Sequence, residues 1–189
     1  MGKRLAALEL KLQGWMERAN QGHHLLGLAT LLSFGGTISA AYPVTIVVVT
    51  AVMLAPRRWL SLCLGCATGS ALAGAVIVGV AHWLGYNEIH TLFPNLISAE
   101  TWNEASGWIG EYGVWAVFGV GASPLPQMPL LIFYGIVDDR IIEAFIALLA
   151  GKTLKYGAVA WVTQHFPERF AFFQRMNGHK TITRSKRGR

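Results

Sequence analysis

Lys152 and Lys155 stand three residues apart, with Tyr156 beside them. They are the only formally charged side chains between Ala144 and Gln164. Residues three apart share one face of a helix. A cation at the centre of a membrane helix costs at least about 2.5–3.5 kcal/mol on insertion scales, so it is kept for a partner. No acidic residue lies at matching depth, because Glu143 sits near the start of the run. The chemistry these residues suit is anion binding, and a lipid phosphate is the partner that fits. The bland alternative is that both lysines snorkel into a wet crevice and only tune insertion.

A second constellation is the segment Ser123-Pro124-Leu125-Pro126-Gln127-Met128-Pro129. Each proline removes an N–H and breaks a helix. The freed backbone groups can face a ligand, and the N-terminus of a half-helix favours an anion. The alternative is a tight structural turn without a ligand. Gly35-Gly36-Thr37 and Tyr42-Pro43 form a matching break earlier in the chain. The candidate binding residues are therefore Lys152, Lys155, Tyr156, Ser123, Pro124, Pro126, Gln127, Gly36, Thr37, Tyr42 and Pro43.

Other chemistries find no support. Cys63 and Cys66 form a CxxC inside an uncharged apolar run, which reads as two small residues on one helix face. A metal site needs more ligands than these. The histidines show no metal spacing on one face, and His82 reads as an interfacial residue. There is no Gly-rich nucleotide loop, no GxSxG and no HExxH. Asp138-Asp139 are adjacent, so they diverge and read as a solvated turn. No cofactor and no enzymatic activity are expected. No secretory leader is expected either, since no apolar core precedes a small-residue cleavage site at the N-terminus.

The elements that position these residues belong to a membrane. Hydrophobic residues make up 53% of the 189-residue chain and charged residues only 14%, against about 25% charged in a soluble domain. Leu25 to Pro56 carries no formal charge. As one helix of about 32 residues it would run roughly 48 Å, far beyond a bilayer core of about 30 Å, yet it is short of two spans. Tyr112 to Val137 has its prolines at the centre. Both predict hydrophobic hairpins that enter the membrane and turn back. Leu60 to Leu84 is an uncharged span, with Gly65, Gly69 and Ala73 making a small-residue face for close contact. Ile141 to Phe166 is the second span. Leu5, Leu8, Leu12, Trp15 and Met16 recur at helical spacing among charges, which predicts an amphipathic surface helix over 1–24.

Asn87 to Glu111 is polar and reads as an interfacial helix and loop. The segments are thus a hairpin 25–56, a span 60–84, an external loop 87–111, a hairpin 112–137, a span 141–166 and a basic tail 167–189, with disorder expected past Asn177. The net charge of +6 does not indicate nucleic acid. The basic residues flank apolar segments, where they meet anionic lipid. The N-terminal helix, the Arg57-Arg58 turn and the tail hold every lysine and arginine except Arg140, Lys152 and Lys155. The positive-inside rule then puts both termini and Arg57-Arg58 in the cytoplasm. A hairpin followed by a span occurs twice in opposite orientation, which is an inverted repeat. The rival layout makes the second hairpin a kinked full span.

Order and spacing of these pieces resemble the DedA superfamily, also called VTT-domain or SNARE-associated Golgi proteins, and its short YqaA-like branch. The likeness covers most of the chain, from about Thr37 to Phe170. It is carried by Tyr42-Pro43, Pro56-Arg57-Arg58-Trp59, Ala67-Thr68-Gly69-Ser70, Gly74 and Trp83-Leu84-Gly85. In the second half it is carried by Tyr112-Gly113-Val114-Trp115-Ala116-Val117-Phe118, Pro124-Leu125-Pro126, Gly135, Gly151-Lys152 and Lys155-Tyr156. The last group is similar to the family's Gly-Arg-x-x-Arg-aromatic pattern. The resemblance implies an all-α polytopic protein of the bacterial inner membrane, with two re-entrant hairpins meeting tip to tip. It also implies movement of lipids such as polyprenyl phosphates or phosphatidylethanolamine between leaflets. Proton-coupled relatives carry an acid in the first hairpin and an arginine near the second turn. Thr37 to Ala55 has no acid, and Ser123 to Pro129 has no arginine.

The leading expectation is a flippase- or scramblase-like protein for phospholipid or lipid-phosphate headgroups. A non-catalytic membrane scaffold and a small-solute transporter are the alternatives. A homo-oligomer is compatible with the Gly-rich faces. The charge asymmetry makes a direct prediction. A cysteine introduced at Asn103 is labelled from outside the cell, and one at Arg140 is labelled from the same side. Labelling of Asn103→Cys only from inside overturns the topology, and labelling of the two sites on opposite faces makes the second hairpin a full span.

Overall fold

The computed structural model describes residues 24–92, 99–138 and 140–165. The amphipathic helix expected before His24, the basic tail and Asp139 lie outside the described residues. Those described are all helical, with no strand. The helices are α1 (Leu25–Ser39), α2 (Val44–Leu54), α3 (Trp59–Leu92), α4 (Ala99–Tyr112), α5 (Val114–Ala122), α6 (Met128–Val137) and α7 (Ile141–His165), with a 3-10 turn at Pro56–Arg58 before α3. Two are long and apolar enough to cross a membrane: Pro56–Gly85, 30 residues, and Ile141–His165, 25 residues. The shorter apolar helices, such as the 15-residue α1 and the 10-residue α6, fall short of a bilayer core of about 30 Å.

Local chemistry sets the boundaries. Pro43 disfavours helical geometry at Tyr42 and offers no N–H of its own. The chain therefore breaks between Ser39 and Val44, with Ala40 in the left-handed region at φ 49°. Gly35-Gly36 does not break α1, contrary to the sequence expectation. A glycine in a helix costs only about 1 kcal/mol, whereas proline costs about 3. Gly36 instead makes room for the Tyr42 ring, where a Cβ would lie 2.6 Å from Cε2. Pro124 and Pro126 separate α5 from α6 in the same way, and Pro129 sits in the first turn of α6, where a missing N–H is tolerated. The first span ends at Gly85, whose φ of 71° and ψ of 176° interrupt α3.

α3 and α7 run antiparallel at the centre. Cys63 lies against Thr153, Ser70 near Tyr156, and Gly74 against Leu148. The short helices pair with them crosswise. α1 packs on α3 and α5 packs on α7, while α2 packs on α7 and α6 packs on α3. α1 begins beside Gly65 and reaches Ser70 at Thr37. α6 begins near the middle of α7 at Gln127 and ends with Gly135 against Val78 and Ala81. The breaks after α1 and α5 thus both lie near mid-length of the long helices, while the pairs open toward opposite ends.

Two apolar cores follow from this arrangement. One joins α1, α2 and the start of α3 to Tyr156 and Ala160 of α7. The other joins α4, α5 and α6 to Ala71 and Val78 of α3 and to Ala144 and Leu148 of α7. Helices approach most closely at glycines. A methyl at Gly69 would collide with the Thr30 carbonyl of α1, and one at Gly151 would meet the backbone of Phe118 and Ala122 in α5. Such contacts gain dispersion energy without side-chain entropy, the usual currency of packing in lipid.

Gly35 faces open space, whereas Gly69 touches backbone. Gly35→Ala is expected to stabilise the protein by roughly 0.5–1 kcal/mol, and Gly69→Val to destabilise it by about 3 kcal/mol or more. Thermal unfolding of the detergent-solubilised protein checks both. Equal effects at the two positions would refute the assigned packing.

Candidate functional site

The broken segment between α5 and α6 comes down on the middle of α7. α5 ends at Ser123, whose backbone is extended, and α6 starts at Gln127 without a side-chain cap. The first bond of α6 runs from the Leu131 N–H to the Gln127 carbonyl, 3.0 Å. The amide groups of Met128 and Leu130 therefore open the helix without intrahelical acceptors. Pro129 has no N–H to satisfy.

Both lysines reach this segment. Lys152 Nζ donates to Gln127 Oε1 at 2.7 Å, and Lys155 Nζ donates to the Ser123 carbonyl at 2.7 Å. Lys152 is only 3% exposed, and Lys155 is half-buried. Gly151 allows this approach, since the end of α5 lies where its Cβ would be. Both partners are neutral. Among the described residues the ion pairs are Arg140–Asp138 and Arg140–Glu143, at the far end of α7. The two ammonium groups thus meet neutral oxygen acceptors, with no described carboxylate paired to them.

The other break connects to the same stretch of α7. Thr37 Oγ1 and Ser70 Oγ share a hydrogen bond of 2.5 Å, and Tyr156 OH donates to Ser70 Oγ at 3.4 Å. Thr37, Ser70 and Tyr156 are all buried. One turn of α7 therefore carries Lys152 and Lys155 to one break and Tyr156, through Ser70, to the other. Of the residues expected from sequence, Lys152, Lys155, Tyr156, Ser123, Gln127 and Thr37 belong to this polar centre. Pro124 and Pro126 form the exposed crown of the turn. Gly36, Tyr42 and Pro43 close their own break: the Tyr42 ring covers Gly36, its hydroxyl donates to the Leu32 carbonyl at 2.5 Å, and Pro43 opens α2.

Ser70 was not among the expected site residues. Its signal is a hydroxyl beside Gly69 in the middle of an uncharged span, a pattern that also occurs at sites of simple packing. Cys63 and Cys66 are free, buried thiols that point to different neighbours, the Thr153 and Ala29 carbonyls, each at 3.8 Å. His82 Nδ1 lies 3.1 Å from the Gly135 carbonyl and ties the end of α3 to α6. Among the described residues no three His, Cys, Asp or Glu groups are placed to hold a metal ion.

Searches against protein-family models, characterised proteins and solved structures find no match to this chain. The geometry is that of a buried polar centre with two lysines, two helix breaks and a hydroxyl bridge. Ser70→Ala is expected to destabilise the protein by about 1–3 kcal/mol, because it orphans the buried Thr37 hydroxyl. Adding Thr37→Val should recover part of that loss. Thermal unfolding of both single variants and the pair gives the coupling, and strict additivity would remove Ser70 as the bridge.

Proposed function

We propose that this chain is an integral membrane protein that moves the phosphate headgroup of a lipid between leaflets, in the manner of a flippase or scramblase. The observation that carries the proposal is the pair Lys152 and Lys155, midway along a helix long enough to span, whose partners among the described residues are neutral oxygens of a proline-broken turn. An anion bound there would neutralise charge that burial makes costly. A headgroup phosphate supplies that charge, while its acyl or prenyl chains stay among the lipid tails.

The layout supports the same view. Each short helix pair breaks near mid-length of α3 and α7, and the pairs open toward opposite ends. In a bilayer these become re-entrant hairpins of opposite orientation, the arrangement that places transport sites at the midplane. Trp83 and Trp115, 84% and 71% exposed, stand at one end of the bundle, and Trp161, 48% exposed, stands at the other. That spacing matches two interfacial aromatic belts. Resemblance to the DedA superfamily and its YqaA-like branch points to lipid transport in a bacterial inner membrane, with both termini cytoplasmic. Proton coupling is not part of the proposal, since the acid and the arginine of coupled relatives have no counterpart here.

The test is translocation of fluorescent lipids in proteoliposomes by wild type, Lys152→Ala, Lys155→Ala and the double variant. Each single change should slow movement of phosphate-bearing lipids by about tenfold or more, the value of one charge-assisted hydrogen bond. Lys→Arg should retain most of it, since Arg also pairs with phosphate. Expression should be unchanged or improved in the alanine variants, because a buried cation is removed. Wild-type rates in the double variant would overturn the phosphate site. No movement of any lipid class by wild type would favour a scaffold, and lipid-independent movement of a polar solute would favour a solute transporter.

A further inference from the structure

We infer that the Ser123–Gln127 turn is a gate latched onto α7 by Lys152 and Lys155, and that an arriving phosphate opens it by taking over the two ammonium groups. The inference rests on the anion-binding proposal above and adds the means by which the ligand gains entry. Lys152 is 3% exposed. With the residue so enclosed and its Nζ bonded to Gln127, a headgroup gains both ammonium groups by displacing the turn.

The latch holds both ends of the turn. Gln127 Oε1 accepts from Lys152 at one end, and the Ser123 carbonyl accepts from Lys155 at the other. Between them Pro124, Leu125 and Pro126 are exposed. Within the turn, the Leu125 N–H donates to Ser123 Oγ at 3.3 Å, a bond that travels with the turn and does not tie it down. The two lysine bonds are therefore the polar ties between the turn and α7. The backbone joints on either side are the helix ends at Ser123 and Gln127.

Competition for the same donors makes the latch responsive. The acceptors in place are an amide and a peptide carbonyl, both neutral. Phosphate oxygens accept the same protons in shorter, stronger bonds. A ligand shifts a two-state equilibrium by its differential affinity, and here it bonds the lysines only in the open state. The neutrality of Gln127 is then the specificity-determining feature. A carboxylate there would pair with Lys152 and compete with the ligand; an apolar side chain would leave the latch half undone.

The experiment uses the full chain in phosphatidylcholine nanodiscs, with spin labels at Leu125→Cys and Ile142→Cys, both exposed sites. The native Cys63 and Cys66 are buried and stay in place. Pulsed dipolar spectroscopy reads the separation of the turn from the start of α7. Without phosphate the wild type should show one population. Inorganic phosphate, or phosphatidic acid in the bilayer, should add a second population. Gln127→Glu should need about tenfold more phosphate to reach the same fraction. Gln127→Leu should show the second population without phosphate. Identical distributions in wild type and Gln127→Leu, with and without either probe, would overturn the gate. A response to inorganic phosphate without lipid translocation would keep the gate and reject the lipid reading. Slowed translocation in the lysine variants, with an unmoved turn, would keep the lipid reading and reject the gate.

Discussion

Backbone polar groups have no water to pair with inside a lipid bilayer, and in the proposed membrane placement that constraint governs this fold. Irregular backbone at such depth survives only where protein surrounds it or a wet cavity receives it. This chain has two breaks, at Ala40–Pro43 and at Ser123–Gln127, each near mid-length of helices long enough to span. Everything around them acts to satisfy or remove exposed peptide groups. Prolines delete N–H groups that would lack acceptors. Ser39 Oγ donates to the Gly35 carbonyl at 2.7 Å, Tyr42 caps the Leu32 carbonyl, and Lys155 caps the Ser123 carbonyl. The N-termini of α1, α2, α5 and α6 carry no side-chain cap. At the C-termini beside the breaks, the local hydroxyls of Ser39 and Ser123 share the task with Tyr42 and Lys155 from beyond the helix.

Close helix contact makes that transfer possible. Lys155 reaches Ser123 because Gly151 lets α5 lie directly on α7. Thr37 reaches Ser70 because Gly69 lets α1 lie directly on α3. The two contacts play equivalent parts in the two halves. In each, a glycine on a long helix receives the first short helix of a pair, and a polar residue further along the long helix meets the end of that short helix. That residue is Ser70, next to Gly69, in one case and Lys155, one turn after Gly151, in the other, while Lys152 reaches Gln127 at the start of α6. The halves share a packing rule while differing in charge, so the proposed anion chemistry is confined to the second break.

Much of this was legible in composition and spacing. An uncharged run at Leu60–Leu84 and the run from Ile141 correspond closely to the helices Pro56–Gly85 and Ile141–His165, because length and apolarity alone decide whether a helix can span. Proline positions marked both breaks, because a missing N–H is a local fact. Gly35-Gly36 reads as a break in sequence but lies within α1: glycine tolerates a bend without imposing one, and Gly36 is needed for the Tyr42 ring that packs on it. The pairing of Lys152 with Gln127, and the role of Ser70, were not legible. Both depend on which helix faces meet across intervals of 25 and 33 residues, and single-sequence periodicity is weak in helices that are apolar all round.

In the proposed function, the neutral partner of a buried lysine carries the weight. A buried Lys–Glu pair would satisfy itself, and a further anion would then find little net charge to bind. Removing one member of such a pair costs about 3–5 kcal/mol, which would fix the turn in place. An amide partner is weaker. It orients the ammonium group and satisfies one of its three protons, but leaves its charge uncompensated. The same stretch of α7 also carries Tyr156, whose hydroxyl reaches Ser70 and through it Thr37 at the other break. Lys152 is thus one helical turn from the Tyr156–Ser70–Thr37 hydroxyl bridge between the halves. The charged break and the uncharged break share one turn of α7, Lys152 reaching Gln127 at one and Tyr156 reaching Ser70 at the other.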